Sequence, residues 1–189
     1  LFFFHEEFAY EFGSQYINAK EATVSAAVMS LDLGTTYSGF DKKVNGTIRG
    51  IYLLATGDKD SNDNTQSAFI SVFPNSNQFV GFTGFFPQIR NIQKIGGSAT
   101  LNTSLFSRPL HYKVDAFNLF RHQLQDVSYP IILDSSNRNL GFEVDQQISY
   151  EPMPKFFLQT GLALLYPGAA YANKNHTLYK FFIMGQFRL

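Results

Sequence analysis

The sequence predicts an all-β chain, a transmembrane antiparallel β-barrel of about eight strands, and three observations carry that expectation. Apolar and polar residues alternate with period two over eight segments, the signature of strands with one apolar face. The segments exceed the ~5–6 residues usual for soluble strands and reach the ~9–11 that a tilted strand needs to cross a bilayer. The chain also holds 21 Phe and 10 Tyr, yet its mean hydropathy is slightly polar, at -0.11. A soluble globule buries its apolar side chains, whereas a barrel in lipid turns them outward and can keep a polar interior.

In the first segment Phe2, Phe4, Phe8, Tyr10 and Phe12 share one parity against His5, Glu7, Ala9 and Glu11, with Glu6 the exception on the apolar side. Over 20–31, Ala22, Val24, Ala26 and Val28 form the apolar face against Glu21, Thr23 and Ser25. Over 43–56, Val44, Ile48, Tyr52 and Leu54 oppose Asn45, Thr47 and Arg49. Segment 93–106 is small and polar, with Ile95, Ala99, Leu101 and Leu105 on its apolar side. Segment 109–122 sets Leu110, Tyr112, Val114, Ala116 and Phe120 against His111, Lys113, Asp115 and Arg121. Segment 139–150 sets Leu140, Phe142, Val144, Ile148 and Tyr150 against Glu143, Asp145, Gln147 and Ser149. In 156–166, Phe156, Leu158, Leu162 and Leu164 oppose Gln159, Gly161 and Ala163. The last segment sets Tyr179, Phe181, Ile183, Phe187 and Leu189 against Lys180, Gln186 and Arg188.

Connections alternate in length. Ser107-Arg108-Pro109 and the run 151–155 read as tight turns, because Pro ends a ladder. Stretches 57–92, 123–138 and 167–177 are long and rich in Asp, Asn, Ser, Gly and Pro. Short turns on one side and long loops on the other is the outer-membrane arrangement, which points to a bacterial outer membrane with the long loops outside. Tyr10, Tyr16, Tyr150, Tyr166 and Tyr179 fall near expected strand ends, where an amphipathic ring suits the headgroup level.

The whole chain, 1–189, reads as one barrel domain. It opens Leu1-Phe2-Phe3 without a methionine, which is read as processing or truncation at the N-terminus. Lys and Arg total 15 and Asp and Glu 15, a balance that argues against a nucleic-acid partner. No cysteine is present, so thiolate chemistry is excluded. The chain is read as a non-enzyme without a cofactor: there is no G-x-S-x-G elbow, and Ser104, Ser107 and His111 cluster only around one turn. The run Asp32-Leu33-Gly34-Thr35-Thr36-Tyr37-Ser38 resembles a phosphate loop of actin-like ATPases, but the second loop of that fold is missing, so it is read as a turn between strands. Asp58, Asp60 and Asp63, with Asn62, alternate oxygen ligands as calcium loops do, but without the closing Glu, so calcium is a weak expectation beside a solvated loop. The four histidines, His5, His111, His122 and His176, sit on different segments and form no ligand pair.

Four passages in order carry a likeness to a known family. They are Leu53-Leu54-Ala55-Thr56-Gly57-Asp58-Lys59-Asp60 followed by Asn62-Asp63-Asn64 and Phe73-Pro74; Phe86-Pro87-Gln88-Ile89-Arg90-Asn91-Ile92; Ser136-Asn137-Arg138-Asn139-Leu140-Gly141-Phe142-Glu143-Val144-Asp145; and Leu158-Gln159-Thr160-Gly161 with Tyr166-Pro167-Gly168. Over 45–189 the chain resembles the alginate-export family of outer-membrane porins. The resemblance implies passage of anionic polysaccharide or small anionic solutes through a barrel of about twice as many strands, of which this chain is the C-terminal part.

The polar faces nominate Arg49, Lys113, Asp115, Arg121, Glu143, Asp145, Lys180 and Arg188 as pore-lining residues. Their signs are mixed, whereas a ring of basic charge is what selects anions. Two functions follow. The first is an outer-membrane channel for passive passage. The second is a small closed barrel, filled by side chains, that anchors, adheres or scaffolds beside envelope protein partners. Lipid is the partner common to both.

Overall fold

The computed structural model describes residues 1–17, 20–39, 43–60, 63–70, 81, 89–126, 134, 136–171 and 176–187. Eight long strands appear at the alternating segments, β2 running on through the passage expected as a turn: β1 (Phe2–Ile17), β2 (Lys20–Gly39), β3 (Val44–Ala55), β5 (Ile92–Leu105), β6 (Arg108–Arg121), β7 (Asn139–Met153), β8 (Phe156–Pro167) and β9 (Leu178–Phe187). A two-residue strand, β4 (Thr65–Gln66), lies in the first long loop. The long strands form one antiparallel meander, β1-β2-β3-β5-β6-β7-β8-β9, while β4 pairs in parallel with Thr23–Val24 of β2. No helix occurs among the described residues, and none is long and apolar enough to cross a membrane, which bears only on helical spans.

The sheet is open. Among the described residues β1 pairs only with β2, and β9 only with β8. The two edge strands nevertheless run antiparallel to one another, because seven reversals separate them.

The register shows how the sheet leans. Phe3, Gly34, Arg49, Ser98, Asp115, Asp145, Ala163 and Lys180 form one row across all eight long strands. The row starts beside the first residue of β1 and meets β9 well before its last residue. That climb of roughly one residue per strand, at ~3.3 Å rise and ~4.8 Å spacing, is a tilt of about 30°, approaching the ~35–45° of barrels.

Connections 56–91, 122–138 and 168–177 gather at one end, the loop end; the connections 106–107 and 154–155 lie at the other, the turn end. The turns are tighter than the sequence implied. The β5–β6 hairpin closes on Phe106 and Ser107, with φ 51 and 60, so Pro109 already stands in β6 opposite Ser104. Positive φ at both central residues gives a type I′ turn, whose twist matches that of the flanking strands. The β7–β8 turn is likewise confined to Pro154 and Lys155, with Lys155 at φ 66, because Glu151 and Pro152 continue β7.

The two faces differ in kind. One carries Phe4, Phe8, Phe12, Leu33, Ile48, Ile95, Phe142, Ile148, Leu158, Leu162, Phe181 and Ile183, all exposed. Glu6 shares it, opposite Leu31. Tyr112 donates to Gln146 Oε1 at 3.2 Å on this side, which pairs two polar groups among the apolar ones. Tyr16, Tyr166 and Tyr179 mark its loop end, Tyr150 its turn end, and Tyr10 lies mid-strand, bonded to Ser25 at 2.9 Å. The opposite face is the inner one. At the loop end it carries a core of Ala26, Leu53, Ala55, Ile92, Phe117, Leu119, Leu140 and Leu165, covered by Phe69, Ile89, Ala170 and Tyr171 from the loops.

The face assignment of one strand is overturned, and Leu140, expected on the apolar face of β7, lies in the inner core at the bulge opposite Leu119 and Phe120. Ala22 and Ala26 of β2 are buried on the inner side, in register with Ser30 and Asp32, while Met29 and Leu33 face out opposite Phe8 and Phe4. The first long loop reaches this part of β2 in two ways: β4 extends the sheet beside it, with Thr23 N–H donating to the Asn64 carbonyl at 2.8 Å, and Phe69 joins Ala26 in the core.

Candidate functional site: the inner charged belt

The inner face is layered along the strands. Above the apolar core of the loop end lies a belt of charge, and toward the turn end the row becomes amides and hydroxyls.

The belt is built by register. Asp32 of β2 and Arg49 of β3 meet at 2.8 Å, and both are mostly buried. Lys113 and Asp115, two residues apart on β6 and so on one face, pair at 2.7 Å. Asp145 of β7 stands directly opposite Asp115. Like charges in that position repel, and Lys94 of β5 lies within electrostatic reach of Asp115, Asp145 and Glu143. The Lys94 ammonium also sits 3.8 Å from the Phe117 ring centroid, a cation–π contact. Glu143 is fully buried, and the backbone at Gly81, φ 112, packs against Glu143 and Phe117 without room for a Cβ. A cavity of about 300 Å³ opens onto this belt, lined among others by Asp32, Arg49, Lys94, Lys113 and Asp115, with His5 and Glu7 of β1.

Toward the turn end, Thr47 and Thr100 bond at 2.8 Å, Asn102 donates to Asn45 at 2.9 Å, and His111 Nδ1 meets Asn102 Oδ1 at 2.7 Å. His111 is thereby held by an amide across the ladder.

Of the nominated lining residues, Arg49, Lys113, Asp115, Glu143 and Asp145 come together in the belt, and Lys180 takes the same row at the β9 edge. Arg121 does not join them. It is buried at the loop end, and its guanidinium donates to the carbonyls of Leu124, Asp134 and Asn137, so it pins the second long loop. Arg188 lies outside the described residues, as do Asn62 and Phe73. Lys94 was missed because its segment is small and polar; its parity with Ser98 was the available signal.

The phosphate-loop motif is strand, not turn: Asp32 to Ser38 lie wholly in β2. Among the described residues no group of three acids or histidines is set to hold a metal. Asp58 accepts from Ser67 at 3.1 Å, and Asp63 Oδ1 caps the Thr65 N–H at 2.7 Å, so both serve the loop's own turns.

The loop end is tied by a second polar cluster. Gly57 N–H donates to His122 Nδ1 at 3.2 Å, and Asp58 N–H to Asp126 Oδ2 at 3.0 Å. Asn91 and Gln123 exchange bonds of 2.6 and 3.0 Å. Burial first, then the charges of Arg138 and Lys59, hold the His122 imidazole below its ordinary value. Burial raises the Tyr171 phenol well above its usual range.

No family model matches the chain and no curated protein matches it, so the likeness to alginate-export porins rests on the residues that carry it.

Proposed function

We propose that this chain forms the wall of a bacterial outer-membrane barrel and serves passive passage of solutes along its inner face. The carrying observation is the inversion of the faces: large apolar side chains exposed on one side, charged and amide side chains on the other. In lipid, unpaired backbone groups cost several kcal/mol each, so both sheet edges need partners. Because β1 and β9 run antiparallel to one another, closure takes either their direct pairing or an even number of added strands. The added-strand arrangement is the half-porin that the resemblance implies, with anionic polysaccharide or small anionic solutes as cargo.

A hydrated interior suits the belt. Ser98 Oγ and Asp115 Oδ1 are buried with no hydrogen-bond partner among the described residues, which costs about 1–3 kcal/mol each in a dry interior. The paired signs of Asp32–Arg49 and Lys113–Asp115 leave little net field, so weak ion selectivity is expected from this wall. The second reading, a small closed barrel that scaffolds, is favoured by the packing of Phe69, Ile89 and Tyr171 against the inner face. Single-channel recording, with and without oligouronate, separates them. Steady openings support passage, block by the oligomer supports the polysaccharide, and a silent bilayer with confirmed insertion leaves the scaffold.

A further inference from the structure

We infer that the junction between the first two long loops is a pH-operated latch, closed while His122 is neutral and released when it is protonated. Three of its bonds converge on this histidine and its neighbours. His122 Nδ1 accepts the Gly57 N–H at 3.2 Å, which requires the neutral tautomer with its proton on Nε2. The His122 N–H donates to the Asn91 carbonyl at 3.3 Å, and Gln123 N–H to Asn91 Oδ1 at 2.6 Å. Gly57 fits against the Asn91 side chain with no space for a Cβ, so the two ends of the first loop are held together where His122 and Gln123 of the second loop meet them.

The groups facing the junction set the sign of its response. Lys59 comes from the first loop, and Arg138 from the segment entering β7. Arg121 of β6 is committed to carbonyls, Asp58 to Ser67, and Asp126 faces Arg90 at 3.5 Å. Protonation turns the Nδ1 acceptor into a donor aimed at another donor, and adds a cation near Lys59 and Arg138. A group whose folded value lies below its unfolded one stabilises the folded form above the unfolded value, ~6.5 for His. That contribution is lost as pH falls through the lower folded value. The released loop is the one that places Phe69 on the core and Gly81 against Glu143. A consequence for passage rests on the channel reading; the latch itself does not.

The test is hydrogen exchange at the Gly57 and Asp58 amides in the full chain in bilayer nanodiscs, corrected for intrinsic rates, between pH 8 and pH 5. The expected result is opening that rises about tenfold or more on acidification, and a flat profile for His122→Gln, whose amide oxygen still accepts. Lys59→Gln should move the midpoint to higher pH, because one repelling charge is gone. Equal protection at both pH values, or the same midpoint in wild type and His122→Gln, overturns the latch. If His122→Gln does not fold, an unchanged midpoint in Lys59→Gln overturns it. Exchange is read without conduction, so a silent channel does not bear on the outcome.

Discussion

At the scale of single residues, the belt and the turns make separate demands. Ser107 holds φ 60 in a two-residue hairpin, a conformation that costs a side-chain-bearing residue about 1–2 kcal/mol. Ser107→Gly should therefore stabilise the fold by ~1 kcal/mol, read from the midpoint of urea unfolding in lipid vesicles; no shift would contradict the strain. Asp32→Ala leaves Arg49 without its 2.8 Å partner in a mostly buried place and should cost about 1–3 kcal/mol by the same assay. Rescue by Arg49→Met in the double variant would identify an uncompensated charge as the cause. Most belt residues were legible from parity alone, because alternation sets the charged side chains of a strand on the face opposite its apolar ones. Arg121 kept the expected parity but not the expected role: its partners are carbonyls at 124, 134 and 137, contributed by a loop whose path no periodicity records.

At the scale of strands, alternation located all eight long strands, while one face was assigned inside out. β2 shows why. Ala22, Val24, Ala26 and Val28 look like a lipid face against Glu21 and Thr23, yet Ala22 and Ala26 are buried on the inner side, where Ala26 shares the core with Phe69 of the first long loop and Val28 packs against it. Small size was the hint, since the exposed apolar positions elsewhere carry Phe, Leu or Ile. The Leu31-Asp32-Leu33 run, with Asp32 inward and the leucines outward, held the correct phase. Glycines also answer across strands: the Phe3, Tyr37 and Phe182 rings lie over Gly34, Gly46 and Gly161, their direct partners. Such aromatic cover protects a backbone that glycine leaves bare. Gly161→Val should thus cost about 1–3 kcal/mol through collision with the Phe182 ring, unless paired with Phe182→Ala. Recovery of stability in that pair is the expected result.

At the scale of the whole molecule, tilt, inverted faces and gathered loops are mutually consistent. The alternation spoke to the wall and was silent on closure, because period two reports which side a residue faces and not what lies beyond the last strand. The inversion makes a prediction about charge. Ile148→Arg, on the apolar face of β7, should destabilise the inserted protein by about 2–4 kcal/mol, while Gln147→Arg, one residue away on the inner face, should cost little.

The most direct test of the inverted faces uses the absence of cysteine from the chain. Single cysteines placed in turn at 143–149 of β7 would be challenged with a water-soluble thiol reagent in lipid vesicles. The account predicts labelling at Gln147 and Ser149 and protection at Val144, Gln146 and Ile148, with the buried positions Glu143 and Asp145 shielded by their neighbours. Uniform labelling along the strand, or protection at Gln147 and Ser149, would contradict it.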